Sequence, residues 1–309
     1  MSQPAPAPSS SLTVAVGGSS GMIGTALVVR LRVNGHTVRR LVRASRHAQP
    51  GDVAWDPVRG ALDARLLEGC DAIVNLGGAQ IDRRWTSSRK REILDSRTQS
   101  TATLARAIRA MKRPPRVMLS GSAIGIYGDR GDELLDEQAT LGDDFLASVA
   151  RAWEAAAAPV LEQGVRLVLL RTGIVLSPNG GALARLLPVF RLGAGGVIGT
   201  GRQWMSWISL HDHVRAMEHA IVTPSLAGAV NLVSPSPVTN AEFTEALAGV
   251  LHRPAFMRVP RIAIQMLLGE MATGTVLASQ HVQPAALTGS DFRFVDARLE
   301  AALTRELAG

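Results

Sequence analysis

Three glycines near the amino terminus have the spacing of a phosphate-binding turn. The segment Val14 to Gly24 reads Val-Ala-Val-Gly-Gly-Ser-Ser-Gly-Met-Ile-Gly, so a short apolar run precedes Gly18, Gly21 and Gly24. A strand, a glycine turn and a helix N-terminus let the backbone approach a pyrophosphate, which the free N–H groups of the first helical turn then face. The segment predicts dinucleotide binding, and a turn that serves only packing is the alternative. The predicted contacts are Gly18, Ser19, Gly21, Met22, Ile23 and Gly24.

The segment after this turn favours a cofactor with a 2′-phosphate. In NAD-binding folds an acidic residue about twenty positions past the last glycine holds the ribose 2′-hydroxyl. The chain has no Asp or Glu from residue 25 to residue 51, and carries Arg39, Arg40, Arg43 and Arg46 there instead. Arginine pairs with a phosphate in a fork geometry, whereas a carboxylate repels it. We therefore predict NADP(H), with Arg43 as the best candidate for the 2′-phosphate; a basic edge that faces water is the alternative.

Strands that alternate with helices position these residues. Strand patterns occur at residues 12–16, 37–42, 53–55, 71–76, 116–120, 166–170 and 229–233, and helical patterns at 21–33, 85–111, 143–163, 212–221 and 240–251. This alternation indicates an α/β fold of the Rossmann type, in which a doubly wound parallel sheet carries helices on both faces. Ligands of such a sheet bind over the carboxyl ends of the strands.

Three segments follow from these patterns. Residues 1–10 are rich in Pro, Ala and Ser and lack a basic start and an apolar core, so we predict a flexible tail and not a signal peptide. Residues 11–235 are predicted to form the NADP-binding Rossmann domain with the loops of the substrate cleft. Residues 236–309 are predicted to form a smaller, mostly helical C-terminal unit.

Composition narrows the class of protein. The chain has 309 residues, of which 46% are hydrophobic, as in a globular protein. No uninterrupted apolar run approaches the length of about 18 residues that a membrane-spanning helix needs, and the lack of a signal peptide predicts a cytoplasmic location. Cys70 is the only cysteine, which excludes an intrachain disulfide. A net charge of +7 from scattered arginines, with 4% aromatic residues, argues against nucleic acid as a partner.

Several later stretches resemble a known family. They are Asn75 to Ala79, Arg84 to Thr86, Ser96 to Thr98, Ser120 to Gly128, Leu170 to Leu176, Gly201 to Ile208, Val238 to Phe243, Leu251 to Phe256 and Leu268 to Met271. With the glycine turn, they resemble the atypical extended short-chain dehydrogenases/reductases, and in particular the epimerase-family proteins with a C-terminal domain of unknown function. The resemblance covers about residues 12 to 305. It implies an NADP(H)-dependent oxidoreductase or epimerase acting on a small carbonyl or nucleotide-linked substrate.

The residues that handle the proton depart from the pattern of the wider group. That group uses a Tyr-x-x-x-Lys pair with a serine, in which the tyrosine exchanges a proton, the lysine lowers its pKa and the serine orients the carbonyl. Tyr127 is the only tyrosine, and Gly131 stands four residues after it. The resemblance implies that Ser122 is the family serine. Tyr127 is either an alternative acid or a residue that packs near the nicotinamide.

The remaining candidates lie at strand ends and in a tryptophan-rich patch. The further cofactor candidates are Leu76, Gly77, Gly78, Ser120, Gly173 and Ile174, with plain turns as the alternative. The substrate candidates are Arg84, Trp85, Arg202, Trp204 and Trp207, with core packing and surface arginines as the alternative. We predict no metal site at His211-Asp212-His213, because adjacent helical side chains point about 100° apart. Asp212 is instead assigned to a capping box with Ser209.

Two functions remain open at this point. The first is an NADP(H)-dependent oxidoreductase or epimerase with a small-molecule substrate. The second, favoured by the missing Tyr-x-x-x-Lys pair, is a non-catalytic NADP(H)-binding protein that senses redox state or regulates a partner. The sequence leaves the oligomeric state open, with a homodimer among the alternatives.

Overall fold

The computed structural model describes residues 11–43 and 48–308. Its strands are β1 (Thr13–Gly17), β2 (Thr37–Val42), β3 (Val53–Ala54), β4 (Ala72–Asn75), β5 (Val117–Ala123), β6 (Leu134–Leu135), β7 (Arg166–Thr172), β8 (Ile174–Leu176), β9 (Gly196–Ile198), β10 (Trp204–Met205), β11 (Trp207–Ser209), β12 (Gly228–Leu232), β13 (Val238–Thr239), β14 (Met257–Val259) and β15 (His281–Val282). Its α-helices are α1 (Met22–Val33), α2 (Ser87–Arg109), α3 (Phe145–Ala157), α4 (Gly181–Arg191), α5 (Leu210–Val222), α6 (Asn240–Leu251), α7 (Arg261–Leu268), α8 (Glu270–Gly274), α9 (Ala285–Gly289) and α10 (Leu299–Ala308). Short 3₁₀ segments occupy Ala64–Leu67, Ile124–Tyr127 and Ala158–Gln163.

Seven strands form one parallel sheet in the order β12-β7-β5-β4-β1-β2-β3. Strand β1 has β2 on one side and β4 on the other, so the winding of the chain reverses at β1. The carboxyl ends of β1 and β4 therefore border the crevice where open α/β sheets bind their ligands. This arrangement confirms the predicted doubly wound, Rossmann-type sheet.

Alternate residues of the strands pack on opposite faces of this sheet. Val14 and Val16 of β1 share a buried cluster with residues of α1 and α5, whereas Ala15 belongs to the cluster that α2 completes. All three side chains are fully buried. Strands that are covered on both faces have continuous apolar sequences, and here they contribute side chains to a core on each face of the sheet. The carboxyl edge of the sheet is where such folds bind their ligands.

Strand β5 is longer than its sequence pattern predicts. The predicted strand ends at Ser120, whereas β5 continues to Ala123 and leads into the 3₁₀ segment that contains Tyr127. Ser122 consequently lies inside a strand, where it is opposite Arg171 of β7. Glycine is depleted in strands, so the Ser-Gly-Ser sequence around Gly121 concealed the extension.

Asp212 has a different role from the predicted one. Ser209 caps α5 by accepting a hydrogen bond from the Asp212 backbone N–H. The Asp212 carboxylate does not return to Ser209; it accepts from the N–H groups of Val295 and Asp296 and pairs with Arg215. The predicted capping box is thus half correct, and the carboxylate ties the C-terminal segment to α5.

The segment after residue 236 is mostly helical, and three of its strands each pair with one earlier strand. These pairs are β13 with β10, β14 with β9 and β15 with β6. The cap of α6 is a complete capping box formed by Thr239 and Glu242, directly before the helical pattern predicted to begin at residue 240. In the described ranges, no helix combines the length and the apolar character needed to cross a bilayer. The boundary at residue 236 stays a prediction.

His213 of α5 is buried beneath the end of β7. Its Nε2 lies 3.2 Å from the hydroxyl of Thr172, and its Nδ1 has no hydrogen-bond partner in the part of the chain that the structure describes. Burial lowers the pKa of His213 to about 3. In the folded protein the imidazole is therefore still neutral at about pH 6.5, where a histidine of the unfolded chain is half protonated.

We predict that His213→Gln is less sensitive to acid than the wild-type protein. Below a pH of about 6.5 the unfolded chain binds a proton at residue 213 that the folded protein does not accept, so stability falls as the pH falls. Between about pH 7.5 and about pH 5.5 the wild type should lose about 1.4 kcal/mol more than the variant. Urea denaturation at both pH values measures this difference, and equal losses in the two proteins would contradict it.

Candidate active site

The turn between β1 and α1 packs tightly against the turn that follows β4. Gly18 has a φ of +75°, and a Cβ at this position would lie 2.7 Å from the carbonyl carbon of Leu76. A Cβ at Gly24 would lie 2.2 Å from the carbonyl oxygen of Gly18. Both glycines are thus required by close backbone approaches, so the packing alternative holds for these two positions whether or not a ligand binds.

The N-terminus of α1 remains open to an anion. Gly21 is the N-cap, no side chain caps the helix, and its first turn holds no acidic residue. Gly21 and the preceding Ser20 are exposed. Uncapped N–H groups at the positive end of a helix dipole form an anion site, so the residues present fit the pyrophosphate of a dinucleotide.

Other side chains of the turn face the protein. Ser19 is buried, and its carbonyl oxygen accepts from the Thr25 hydroxyl. Ile23 is half-buried against the core, and the Met22 side chain lies where a Cβ of Gly180 would stand. Any ligand contact of these residues is therefore left to their backbone N–H groups.

The arginines after β2 differ in their partners. Arg40 forms a 2.5 Å ion pair with Asp52, which holds the pKa of that carboxyl below its usual range. Arg39 donates to two backbone carbonyls of the segment before β4. Arg43 is exposed directly after β2 and has no hydrogen-bond partner within the described ranges. Arg46 lies outside the described residues. Of the described arginines Arg39, Arg40 and Arg43, Arg43 is therefore the one without a hydrogen-bond partner among the described residues.

Asn75 shapes the turn after β4. Its amide donates to Thr101 Oγ1 at 2.9 Å, and its side-chain oxygen accepts from the Gly77 N–H at 3.2 Å. A Cβ at Gly78 would lie 3.1 Å from the guanidinium carbon of Arg97. The small residues let this turn lie close to side chains of α2, and the predicted contact of Leu76, Gly77 and Gly78 with a ribose stays a prediction.

Ser122 is the start of a buried polar network. Its hydroxyl donates to Glu154 Oε1 of α3 at 2.6 Å. Glu154 is held by a fork from Arg171 of β7, with Nε–Oε1 at 2.9 Å and Nη2–Oε2 at 3.1 Å. The Arg171 and Glu154 side chains are 7% and 12% exposed. Because an ionised carboxylate only accepts hydrogen bonds, the Ser122 proton is directed to Glu154 and the lone pairs of Ser122 are left for another donor.

Tyr127 belongs to the same network and is fully buried. Its hydroxyl donates to Asn231 Oδ1 at 2.7 Å and accepts from Arg171 Nη1 at 3.0 Å. Burial raises the pKa of Tyr127, and the neighbouring Arg171 opposes that rise. With no exposed surface and a hydroxyl engaged on both sides, Tyr127 holds Arg171 in place in this structure. Its role as an alternative acid stays a prediction.

Sequence reasoning missed Glu154 and Asn231 as parts of this site. It offers Arg171 or Arg151 as a cation beside Tyr127 without placing either, and Arg171 is the one that contacts the tyrosine. Glu154 is the only acidic residue of α3, and Arg171 and Asn231 are polar residues inside otherwise largely apolar strands. A charged or amide side chain at such a position signals a buried partner, because buried polar groups are normally paired. The partner itself lies elsewhere in the sequence, so the signal identifies the residue and not the pair.

The remaining cofactor candidates are mostly structural. Ser120 is fully buried, with a single 3.5 Å contact to the Gly121 carbonyl, and its contact with the cofactor stays a prediction. A Cβ at Gly173 would lie 2.5 Å from the Ser206 carbonyl oxygen, so packing already requires glycine there. Ile174 is half-buried in β8, paired with β11.

The predicted substrate residues do not converge on one pocket. Trp207 is fully buried and Trp85 is 8% exposed, and they belong to different hydrophobic clusters. Both side chains pack in the core, as the packing alternative predicts, and their contact with a substrate stays a prediction. Trp204 is half-buried and stacks on the imidazole of His281, with ring centroids 3.9 Å apart. Arg84 and Arg202 are exposed.

Comparisons with known proteins agree with this architecture. The NAD dependent epimerase/dehydratase family matches residues 14–232, and the domain of unknown function DUF1731 matches residues 259–306. An epimerase family protein of Mycobacterium bovis is 43% identical over 282 residues, which cover 91% of this chain and 93% of the relative. The predicted resemblance is therefore confirmed, C-terminal domain included.

Two solved structures are similar to this chain. The crystal structure of the human epimerase family protein SDR39U1 (isoform 2) with NADPH has a TM-score of 0.89 at 35% identity and covers 96% of this chain and 100% of its own. The nucleoside-diphosphate sugar epimerase from Corynebacterium glutamicum has a TM-score of 0.79 at 37% identity and covers 96% of this chain and 58% of its own. Both similarities extend across the sheet and the C-terminal segment.

We predict that Glu154→Gln strongly destabilises the protein. The substitution removes the negative charge from a buried pair and leaves the Arg171 cation uncompensated, which typically costs about 3–5 kcal/mol. Glu162→Gln is the matched control, since Glu162 is 61% exposed and pairs with an exposed arginine; its effect should stay within about 0.5 kcal/mol. Chemical denaturation of both variants tests this, and similar stabilities would show that the buried pair is not required.

Proposed function

The chain belongs to the NAD dependent epimerase/dehydratase family, and from that premise we propose that it binds NADP(H) and acts as an oxidoreductase or epimerase. Its substrate is a small carbonyl compound or a nucleotide-linked compound. The observation that carries the cofactor assignment is the open N-terminus of α1 together with the exposed Arg43 at the end of β2. The NADPH bound to the human relative supports the same cofactor.

The proposed binding mode uses groups that the fold already positions. The first N–H groups of α1 hold the pyrophosphate, and Arg43 holds the 2′-phosphate in a fork that a carboxylate at the same place would repel. Asp52 is the nearest acid in the sequence after this strand, and it is neutralised by Arg40. When bound, the nicotinamide supplies or accepts a hydride.

Ser122 is the group that we propose meets the substrate. It lies at the end of β5, two strands from β1 in the sheet. Its proton is committed to Glu154, so Ser122 acts as an acceptor and orients a substrate hydroxyl that points its hydrogen at Oγ. Arg171 and Glu154 fix the orientation of the serine, and Tyr127 and Asn231 support Arg171.

The alternative is a non-catalytic NADP(H)-binding sensor or regulator. The observation in its favour is the position of Tyr127, since the single tyrosine of the chain is buried and engaged by Arg171 and Asn231. No Tyr-x-x-x-Lys pair is therefore available to exchange a proton with a substrate. Tight NADPH binding without turnover, and a partner whose affinity depends on NADPH, would support this alternative.

The cytoplasmic location stays a prediction. A relative from Arabidopsis thaliana that is 38% identical over 293 residues carries the description chloroplastic, so the family is not restricted to one compartment. The location of this chain is therefore a question separate from its cofactor.

We predict that Arg43→Ala weakens NADPH binding without weakening NADH binding. A charge-assisted hydrogen bond contributes about 1.5–3 kcal/mol, so the expected loss for NADPH is about 10- to 100-fold. Arg116→Ala is the matched control, because Arg116 is 85% exposed and directly precedes β5 at the opposite edge of the sheet. Cofactor fluorescence titration measures both affinities. Equal or tighter binding of NADH by the wild type would contradict the NADP(H) assignment.

We predict that Ser122→Ala lowers cofactor-dependent turnover by about 100-fold, the typical consequence of a misplaced substrate, while NADPH affinity is retained. A panel of carbonyl compounds with NADPH, and of the corresponding alcohols with NADP⁺, provides the assay. Ser120→Ala is the matched control, since Ser120 is a buried serine on the same face of the same strand. Wild-type protein that binds NADPH and turns over no member of either panel would favour the sensor.

A further inference from the structure

Arg97 of α2 is a cation held beside the turn that follows β4. Its Nη1 donates to the carbonyl oxygens of Ala79 and Ile93, each at 3.0 Å. Its guanidinium carbon lies 5.0 Å from the ring centroid of Trp153. These contacts fix the plane of the guanidinium. Its Nε and Nη2 have no hydrogen-bond partner among residues 11–43 and 48–308, and the side chain is only half-buried, so these donors are left for a ligand.

No carboxylate compensates this cation. Within the described ranges, none of the carboxylates lies within ion-pair distance of Arg97, whereas the inward-facing Arg40 and Arg171 each have one. Burial, with a smaller contribution from the Arg89 cation, lowers the pKa of Arg97 to about 10. The Nε of Arg89 is itself buried without a partner in the described structure. Arg89 has a carboxylate partner in Glu92, whereas Arg97 has none, and charges withdrawn from water are normally paired. Arg97 therefore marks a position for an anion.

This position lies between the turn after β4 and the end of β5. On one side, Arg97 packs against Gly78 of the β4 turn. On the other side, Trp153 separates Arg97 from β5, where a Cβ at Gly121 would lie 2.4 Å from the indole. Glu154, the residue after Trp153, accepts the hydrogen bond that Ser122 donates. Arg97 therefore stands between the β4 turn and the end of β5, one side chain away from the strand that carries Ser122.

We propose that Arg97 binds a carboxylate or phosphate group of the substrate. The free edge of the guanidinium, formed by Nε and Nη2, can donate two parallel hydrogen bonds to two oxygens of such a group. The inference rests on the proposed function and deepens it, because it names the substrate class as an acidic carbonyl compound or its alcohol. A neutral aldehyde or ketone would leave the cation unpaired. The phosphates of the cofactor are a second source of the same chemistry, which the experiment must separate.

The test titrates the NADPH-saturated protein with malonate, with inorganic phosphate and with malonamide as the neutral counterpart of malonate. Calorimetry gives the affinity, and tryptophan fluorescence reports the site because Trp153 contacts Arg97. We expect malonate or phosphate to bind and malonamide not to bind. Arg97→Gln should weaken the anion at least about tenfold, as expected for the loss of a charge-assisted fork. The matched control is Arg91→Gln, an exposed arginine of the same helix, which should leave the affinity unchanged.

NADPH affinity, measured on the same samples, separates the two sources. A loss of NADPH binding in Arg97→Gln, with malonate and phosphate competing against NADPH, would assign the anion to the cofactor and overturn the substrate inference. Absence of anion binding in the wild type, or equal binding by Arg97→Gln, would overturn it as well. Arg97→Lys replaces the Gln variant if that variant does not fold. It keeps the positive charge but loses the planar pair of donors, so it should also bind the anion more weakly. Wild-type protein that binds anions but not NADPH would contradict the proposed function and not this site.

Discussion

The buried ion pair between Arg171 and Glu154 is the interaction on which the carboxyl edge of the sheet depends. Arg171 is aligned with Ser122 of β5 and with Asn231 of β12, and its guanidinium reaches Glu154 and Tyr127. Three strands, α3 and a 3₁₀ segment thus converge on one cation. A buried pair gains little over apolar packing of the same volume, so its main consequence is directional: Glu154 determines where the Ser122 proton points.

A second constraint comes from backbone packing and not from charge. Gly18 lies so close to Leu76 that the turn after β1 and the turn after β4 form one unit, and Asn75 ties the second turn to α2. A preformed turn loses little conformational entropy when a ligand arrives. The glycines that the sequence marks as ligand contacts therefore shape the turn, and the open N–H groups after Gly21 are the groups proposed to contact the ligand.

Local patterns predicted the first half of the fold because β1, α1 and β2 are specified by apolar periodicity and turn glycines within a few residues of each other. They could not predict the network at Ser122, because Glu154 is 32 residues away from it and Arg171 lies 17 residues beyond that. The tryptophan patch could not decide between a substrate pocket and a packed core for a physical reason. A rare, large apolar side chain such as Trp207 gains most free energy when it is fully buried. Rarity in a sequence does not distinguish a core from a pocket.

The departure from the Tyr-x-x-x-Lys pattern changes which side of the proposed contact donates the hydrogen bond, the protein or the substrate. In that pattern a tyrosine beside a cation offers a proton to the substrate oxygen. Here Ser122 is oriented by a carboxylate and offers lone pairs, while Arg97 keeps two donors, Nε and Nη2, without a partner in the described structure. A substrate that satisfies both groups carries a hydroxyl for the serine and an anionic group for the arginine. Under the two proposals, Ser122 at the end of β5 and Arg97 on α2 together select a hydroxy acid or hydroxy phosphate, which is a narrower class than the fold or the family defines.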